Sequence, residues 1–387
     1  MKSATHTPAR AEGGQMADAI TVNAGSSSVR LARWSLEGPQ PRLLVAMHHE
    51  RGEASPLDLA REVSEAHGDA RIAFIAHRVV HGGTLHRTVR VDAEVERSIE
   101  EASQFAPLHN PAALLWLRAF RETRGGGVPQ VAVFDTAFFA TLPDRAKLYA
   151  LPYELAERHG LYRRGFHGLA HRSMWQRWRE LNPEALPDAR AISLQLGSGA
   201  SIAAIRGGTP IDTSMGFSPL EGLVMATRPG DLDAGVLLYL LQRAGMSIAE
   251  LDRTLNEASG LRGVSGTSGD LRQLLGSDDD RSRLAVELYV YRARKYVGAY
   301  LAALGGADAI LFGGGVGENM PEVRARILAG MEFCGIELDA ASNAGAVGRA
   351  ARVTSAASRI EVWVVPIDES EILVREAMAA IAAEGVE

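Results

Sequence analysis

Arg78 and Arg228 each stand beside glycine or strand-forming residues, in stretches short of compensating acids. A guanidinium fork in such a setting suits carboxylate or phosphate oxygens, and a solvated surface residue is the competing reading for either one. Asp135 follows the apolar run Gln130–Phe134, and Glu369 lies between a strand-like run and a helix-like one. Hard carboxylate oxygens at element ends suit Mg²⁺, held directly or through water; for Glu369, capping of the next helix competes. His167, in Gly165-Phe166-His167-Gly168, is expected to be exposed in a loop. With His171 it makes a His-x₃-His pair, but no glutamate follows and no third ligand is near, so it is not read as a metal site. His77 and His81 share that spacing across a strand end, which points to core or hydrogen-bonding roles.

Two short segments are suited to grip phosphate with backbone. Asn23-Ala24-Gly25-Ser26-Ser27-Ser28 joins the strand-like runs Ala19–Val22 and Val29–Leu36; Gly197-Ser198-Gly199-Ala200-Ser201 joins Ala191–Leu196 and Ile202–Ile205. Small residues let N–H groups approach phosphate oxygens closely, and hydroxyls add donors. Either segment alone reads as readily as an ordinary turn; facing each other across a cleft, the two would hold a polyphosphate from both sides. The run Gly313–Gly317 reads as a sharp turn into a helix at Pro321 and suits a nucleotide. It lacks the Lys-Ser/Thr of a P-loop and the spacing of a dinucleotide fingerprint.

The elements that must carry these residues alternate. Strands are expected at Leu43–Met47, Ile72–Val80, Gln130–Phe134, Ala309–Phe312 and Ile360–Val365. Helices are expected at Leu57–Glu65, near Glu94–Ser103 and Ala112–Thr123, at Asp279–Leu304, and from about Ser370. That pattern indicates α/β layers, and the repeated strand–tip–strand unit indicates a duplication. A length of 387 residues is too much for one ordinary core and implies two domains. A net charge of -6 argues against nucleic-acid and membrane-surface partners. The single cysteine, Cys334, requires no oxidising compartment, no apolar run approaches a bilayer span, and the polar first residues do not read as a signal peptide. The expectation is a cytoplasmic enzyme with a dispensable tail, in which Met16 is a candidate start.

Taken together, seven stretches in order resemble the acetate kinase family of the acetate and sugar kinase/actin superfamily. They are Asn23–Ser28, His77-Arg78-Val79-Val80-His81-Gly82-Gly83, Ala106-Pro107-Leu108-His109-Asn110-Pro111, Phe134-Asp135-Thr136-Ala137-Phe138, Gly165–Gly168, Asp212–Gly222 and Gly315-Val316-Gly317-Glu318-Asn319. The resemblance implies a duplicated actin-like (ribonuclease H-like) fold with a central nucleotide cleft. Residues 1–16 would be a disordered tail, 17–150 a first domain completed by the helix 370–387, and 151–369 a second domain with the adenosine site and a homodimer interface. It implies reversible, direct transfer of phosphoryl from ATP to acetate with Mg²⁺, for which Mn²⁺ substitutes. Propionate kinase, or a catalytically weak regulator that binds nucleotide or acyl phosphate, is the alternative.

By the same resemblance Asn23 and Glu369 place the metal, and Arg78 and Arg228 bind the carboxylate and the phosphoryl group. Asp135 orients the site and His167 stabilises the transition state. Val80, Leu108, Phe166 and Pro219 form the acyl pocket. Ser26, Ser28, Arg30, Gln195, Leu196, Gly197, Ser198, Gly199, Asp270, Leu271, Arg272, Gly315, Val316, Gly317, Glu318 and Asn319 serve the nucleotide. The chain departs from the family at Gln195 and Ser198, where histidine and asparagine are usual, at Leu169-Ala170, and after Glu369, where Ser370 replaces an acidic residue.

Overall fold

The computed structural model describes residues 17–25, 28–50, 52, 54–66, 71–107, 109–124 and 127–384; the tail 1–16, Ser26 and Leu108 lie outside them. The first sheet contains β1 (Ala17–Ala24), β2 (Ser28–Ser35), β3 (Arg42–Glu50), β4 (Arg71–Val79), β5 (Val89–Arg90) and β6 (Gln130–Phe134), in the order β3-β2-β1-β4-β6-β5. The second contains β7 (Arg190–Leu196), β8 (Ala200–Arg206), β9 (Thr209–Thr213), β10 (Ala309–Gly313), β11 (Ala351–Arg352) and β12 (Glu361–Val364), in the order β9-β8-β7-β10-β12-β11. Adding six to each strand number of the first sheet reproduces the second. In both, an antiparallel meander leads into parallel strands and ends on an antiparallel edge. This is the duplicated actin-like α/β fold.

Alternation along β1 explains the layers, because successive side chains point to opposite faces. Ile20 and Val22 pack with Leu59, Trp116 and Phe120 from the helices Pro56–Glu65 and Asn110–Arg124. Ala19 faces the other way and meets Ile372, Leu373, Val374 and Ala377 of the last helix, Glu369–Glu384. The second sheet is covered on one face by the long helix Asp280–Leu304, through Ala285, Tyr289, Ala293 and Val297. Asp279 starts that helix by accepting from Arg281 N and Ser282 N, and Gly305 ends it at φ 69°. The opposite face takes Met174, Trp175 and Trp178 of the helix Gly168–Leu181. Each fully buried large side chain is worth about 1.5–3 kcal/mol of transfer free energy.

Three local expectations change. The glycine run does not turn directly into the helix at Pro321: Gly313 ends β10, and Gly314–Asn319 is a short helix of its own. Ala200 and Ser201 belong to β8 rather than the tip, because Leu196 pairs with Ala200 and leaves 197–199 as the turn. His167 is not in an exposed loop: it adopts left-handed φ 57° as the residue before Gly168–Leu181, with its ring turned inward.

Candidate active site

Parallel strands present their C-terminal ends to one side, and β1, β4 and β6 are neighbours. Asn23 near the end of β1, Arg78 in β4 and Asp135 just past β6 therefore meet. Arg78 donates to Asp135 Oδ2 from Nε (3.2 Å) and Nη2 (2.7 Å), and from Nη1 to Asn23 Oδ1 and Glu369 Oε2 (3.1 Å each). Asn23 Nδ2 donates to Glu369 Oε2 at 2.6 Å, which ties the start of the last helix to the first sheet. Glu369 is spared capping duty because Asp368 Oδ1 accepts from Glu371 N instead. Burial alone would lower the Arg78 pKa, but Asp135 and Glu369 outweigh it and raise it above the ordinary value. Burial raises the Asp135 carboxyl, with Arg78 opposing.

The second wall contains Arg228, His167 and the 197–199 tip. A Cβ on Gly199 would lie 2.7 Å from Arg228 Nη2 and 3.4 Å from His167 Nε2, so only glycine lets the three converge. Arg228 Nη1 donates to Pro219 O at 2.8 Å, and among the described residues no carboxylate pairs with it. Burial lowers its pKa to about 10. His167 is held well below the ordinary histidine value by burial, then by Arg78, His171, Arg228 and His109. Val80 and Phe166 are buried in one apolar cluster with Ala106, next to these charges, and Pro219 adjoins Arg228.

Beyond the tip a cavity of about 750 Å³ is lined by Gly197, Ser198, Asp270, Leu271, Arg272, Gly315, Val316 and Asn319. Its volume suits a nucleoside. Several candidate nucleotide residues do not line this cavity. Glu318 Oε1 accepts from Gly314 N (2.9 Å) and Ile367 N (3.1 Å), so it fastens the short helix. Leu196 is fully buried and Gly317 packs on Phe312, while Gln195 sits between Gly197 and Gly314. Ser28 and Arg30 open the return strand of the first tip, with Arg30 opposite Asn23 and exposed.

Sequence reasoning missed the support behind His167. Ser201 Oγ lies 2.9 Å from His167 Nδ1 and 2.8 Å from His171 Nε2, and His171 Nδ1 lies 2.9 Å from Ser193 Oγ. The His-x₃-His spacing was the available signal, and it marks a hydrogen-bonded chain. Asn110, the first residue of the helix Asn110–Arg124, grips the loop after β4: it accepts from His81 N at 3.1 Å and donates to His81 O at 2.9 Å.

The acetokinase family model matches residues 32–375. An acetate kinase of Solibacter usitatus is 46% identical over 327 residues, covering 83% of this chain and 79% of that protein. One of Bacillus subtilis is 44% identical over 306 residues, covering 78% and 77%. The crystal structure of Porphyromonas gingivalis acetate kinase aligns with a TM-score of 0.82 at 36% identity, covering 94% of this chain and 100% of that one. A propionate kinase from Francisella tularensis aligns with a TM-score of 0.82 at 31% identity, covering 93% and 99%. With a matching model over most of its length and relatives of this similarity, the chain belongs to the acetokinase family.

Proposed function

We propose that the chain transfers the γ-phosphoryl group of ATP to acetate, giving acetyl phosphate and ADP, by direct in-line displacement that runs in both directions. The observation that carries this reading is Arg228, a buried guanidinium with no carboxylate partner among the described residues, held against Pro219 and Gly199 beside the tip that lines a nucleoside-sized cavity. Acetate is ionised at neutral pH, so its oxygen attacks phosphorus without a general base. Catalysis then rests on positioning and on offsetting charge at the equatorial oxygens. Arg228, His167 and the N–H groups of 197–199 meet the phosphoryl oxygens, and Arg78, held by Asp135, faces the carboxylate. Val80, Phe166 and Pro219, with Leu108, receive the methyl group. Gly197, Ser198, Asp270–Arg272, Gly315, Val316 and Asn319 bind the nucleotide.

The donor set fits a hard cation. Asp135 and Glu369 set two carboxylates against the one guanidinium of Arg78, and Glu369 keeps 17% of its side chain exposed. Asn23 and Glu369 would hold Mg²⁺, or Mn²⁺ in its place, partly through water: among the described residues no three His, Cys, Asp or Glu side chains converge. When bound, the cation offsets negative charge on the nucleotide phosphates.

Propionate is the rival acid, since one methylene in an apolar pocket is worth about 1–3 kcal/mol and a propionate kinase is among the similar structures. An acyl-hydroxamate assay with ATP, Mg²⁺ and acids from formate to butyrate decides. The expected result is a maximum kcat/KM at acetate; a maximum at propionate transfers the assignment, and no product with any acid sinks it.

The working unit is a homodimer joined through the second domain. The helix Ala234–Gln242 is apolar nearly throughout, yet none of its residues is buried, with Leu238 55% and Tyr239 63% exposed. An apolar helix that buries nothing calls for a partner, and Leu238→Glu should convert the dimer to monomer in sedimentation. A cytoplasmic location fits the need for ATP.

A further inference from the structure

The chain of groups behind His167 has a direction. Ser193 Oγ donates to Met174 Sδ at 3.7 Å, and a thioether can only accept. With its hydroxyl proton directed at the sulfur, Ser193 accepts from His171 Nδ1–H, leaving His171 Nε2 as the acceptor for the Ser201 hydroxyl proton. Ser201 then accepts from His167 Nδ1–H. This direction makes four hydrogen bonds. The reverse direction makes three and leaves the sulfur without a donor. Ser193, His171 and Ser201 are all fully buried, so water does not compete for these groups.

We propose that Ser201, His171 and Ser193 are positioning residues that fix neutral His167 as its Nδ1–H tautomer, so that Nε2 faces the phosphoryl site bare and must take a proton from solvent when a phosphoryl anion binds. This deepens the reading above and rests on it for the identity of the anion. A bare Nε2 lone pair repels a phosphoryl oxygen; a protonated one donates a charge-assisted hydrogen bond. Nδ1–H stays on Ser201 in both states, so the ring gains its charge without turning. The groups facing His167 are Arg78 from β4, Arg228 beside the second tip, His109 at the start of Asn110–Arg124, and His171 one turn along its own helix. All of these oppose the imidazolium in the free enzyme, as does burial. An arriving dianion between Arg78 and Arg228 reverses that balance.

Two measurements test this on the full-length enzyme. First, long-range ¹H–¹⁵N correlation spectra of ¹⁵N-histidine protein, assigned with His167→Gln and His171→Gln, read the tautomers directly. Nδ1–H on both rings is expected; Nε2–H on His167 overturns the proposal whatever the enzyme's substrate. Second, calorimetric titration at about pH 8 with acetyl phosphate and Mg²⁺, in buffers of different ionisation enthalpy, counts protons. Uptake approaching one per site is expected. Binding without uptake overturns the proposal, whereas no binding heat at all strikes the phosphoryl-site reading and leaves the tautomer to the spectra. Ser193→Ala removes the far end of the chain, away from the reacting atoms. Its expected effect is loss of the tautomer bias and uptake well below the parent value, which a merely structural serine would not produce.

Discussion

Arg78 and Asp135 meet through two hydrogen bonds to a single carboxylate oxygen, from Nε at 3.2 Å and Nη2 at 2.7 Å. Asp135 is fully buried, and the other end of the same guanidinium reaches Asn23 and Glu369. Removing Arg78 therefore strands a buried carboxylate, a change that costs about 3–5 kcal/mol when one partner of a buried pair is lost. Arg78→Ala should lose turnover and melting temperature together. The Arg78–Asp135 charge pair would be dispensable if Arg78→Ala melted at the parent temperature.

Arg228 behaves differently because, among the described residues, its hydrogen-bond partner is Pro219 O and no carboxylate pairs with it. Burial already disfavours its charge, so Arg228→Ala removes a group the free protein gains little from. The expected outcome is an unchanged or raised melting temperature with kcat down by about 10²–10³, the loss typical of one oxyanion donor. Arg228→Lys should recover little, since a point charge does not replace a planar fork. Thermal melts and steady-state kinetics of the two alanine variants, side by side, check the contrast; near-normal kcat in Arg228→Ala removes that residue from the mechanism.

The strands were legible where apolar runs stop at glycine and serine, as at Val22 and Leu196, and the two tips followed from them. The helix Gly168–Leu181 was not, because it opens on a glycine behind a left-handed histidine and lacks a side-chain cap. Arg78 and Arg228 looked alike in sequence. Their difference lies in partners 57 and 291 residues from Arg78, which no local pattern carries. Ser201 was placed at the tip by composition; a return strand that starts two residues earlier, at Ala200, puts it in β8, behind His167.

Neighbouring glycines separate folding from nucleotide binding. Gly314 has φ +77°, and a Cβ there would lie 2.2 Å from Gln195 Oε1 and 2.6 Å from Leu196 O. Gly314→Ala should lower the melting temperature, since backbone cannot yield as a side chain can. A Cβ on Gly315 meets nothing within 4 Å, yet the residue lines the cavity. Gly315→Ala should keep or raise the melting temperature, as alanine favours a helix, while raising KM for ATP several-fold. Equal KM values in parent and Gly315→Ala would detach this cavity from the nucleotide.

Gln195 Oε1 is buried without a hydrogen-bond partner among the described residues. If the amide serves only packing, Gln195→Met should be neutral or stabilising, because an unsatisfied polar atom is removed. If its Nε2 meets phosphate, Gln195→Met should lower kcat by about 1–3 kcal/mol equivalent, and Gln195→His should raise it below about pH 6.5, where an unperturbed imidazole is charged. The second outcome is expected from its place between Gly197 and Gly314. Unchanged kcat/KM in both variants from pH 5.5 to 8.5 would exclude a role at the phosphates.

Acid should weaken the fold through histidines buried neutral. Burial lowers the pKa of His77 and His171 to about 3, and burial with Arg164 lowers that of His81 to about 4. The unfolded chain titrates these rings near 6.5 and so binds more protons than the native state between that pH and the folded values. Stability is then complete above about pH 6.5 and falls as pH drops, by up to about 1.4 kcal/mol per pH unit for each ring. His77 offers the cleanest test, because it is buried in β4 and packs edge-on against Phe120, at 5.7 Å between ring centres. Its burial penalty outweighs the nearby Gln130 side chain. Replacing it by leucine removes one titrating group at similar volume. Relative to the parent, His77→Leu should gain about 2 kcal/mol between pH 7.5 and pH 5, whatever its stability at pH 7.5. Urea denaturation of parent and variant at the two pH values measures that difference of differences. A value near zero would mean that His77 is already charged, or exposed, in the native protein.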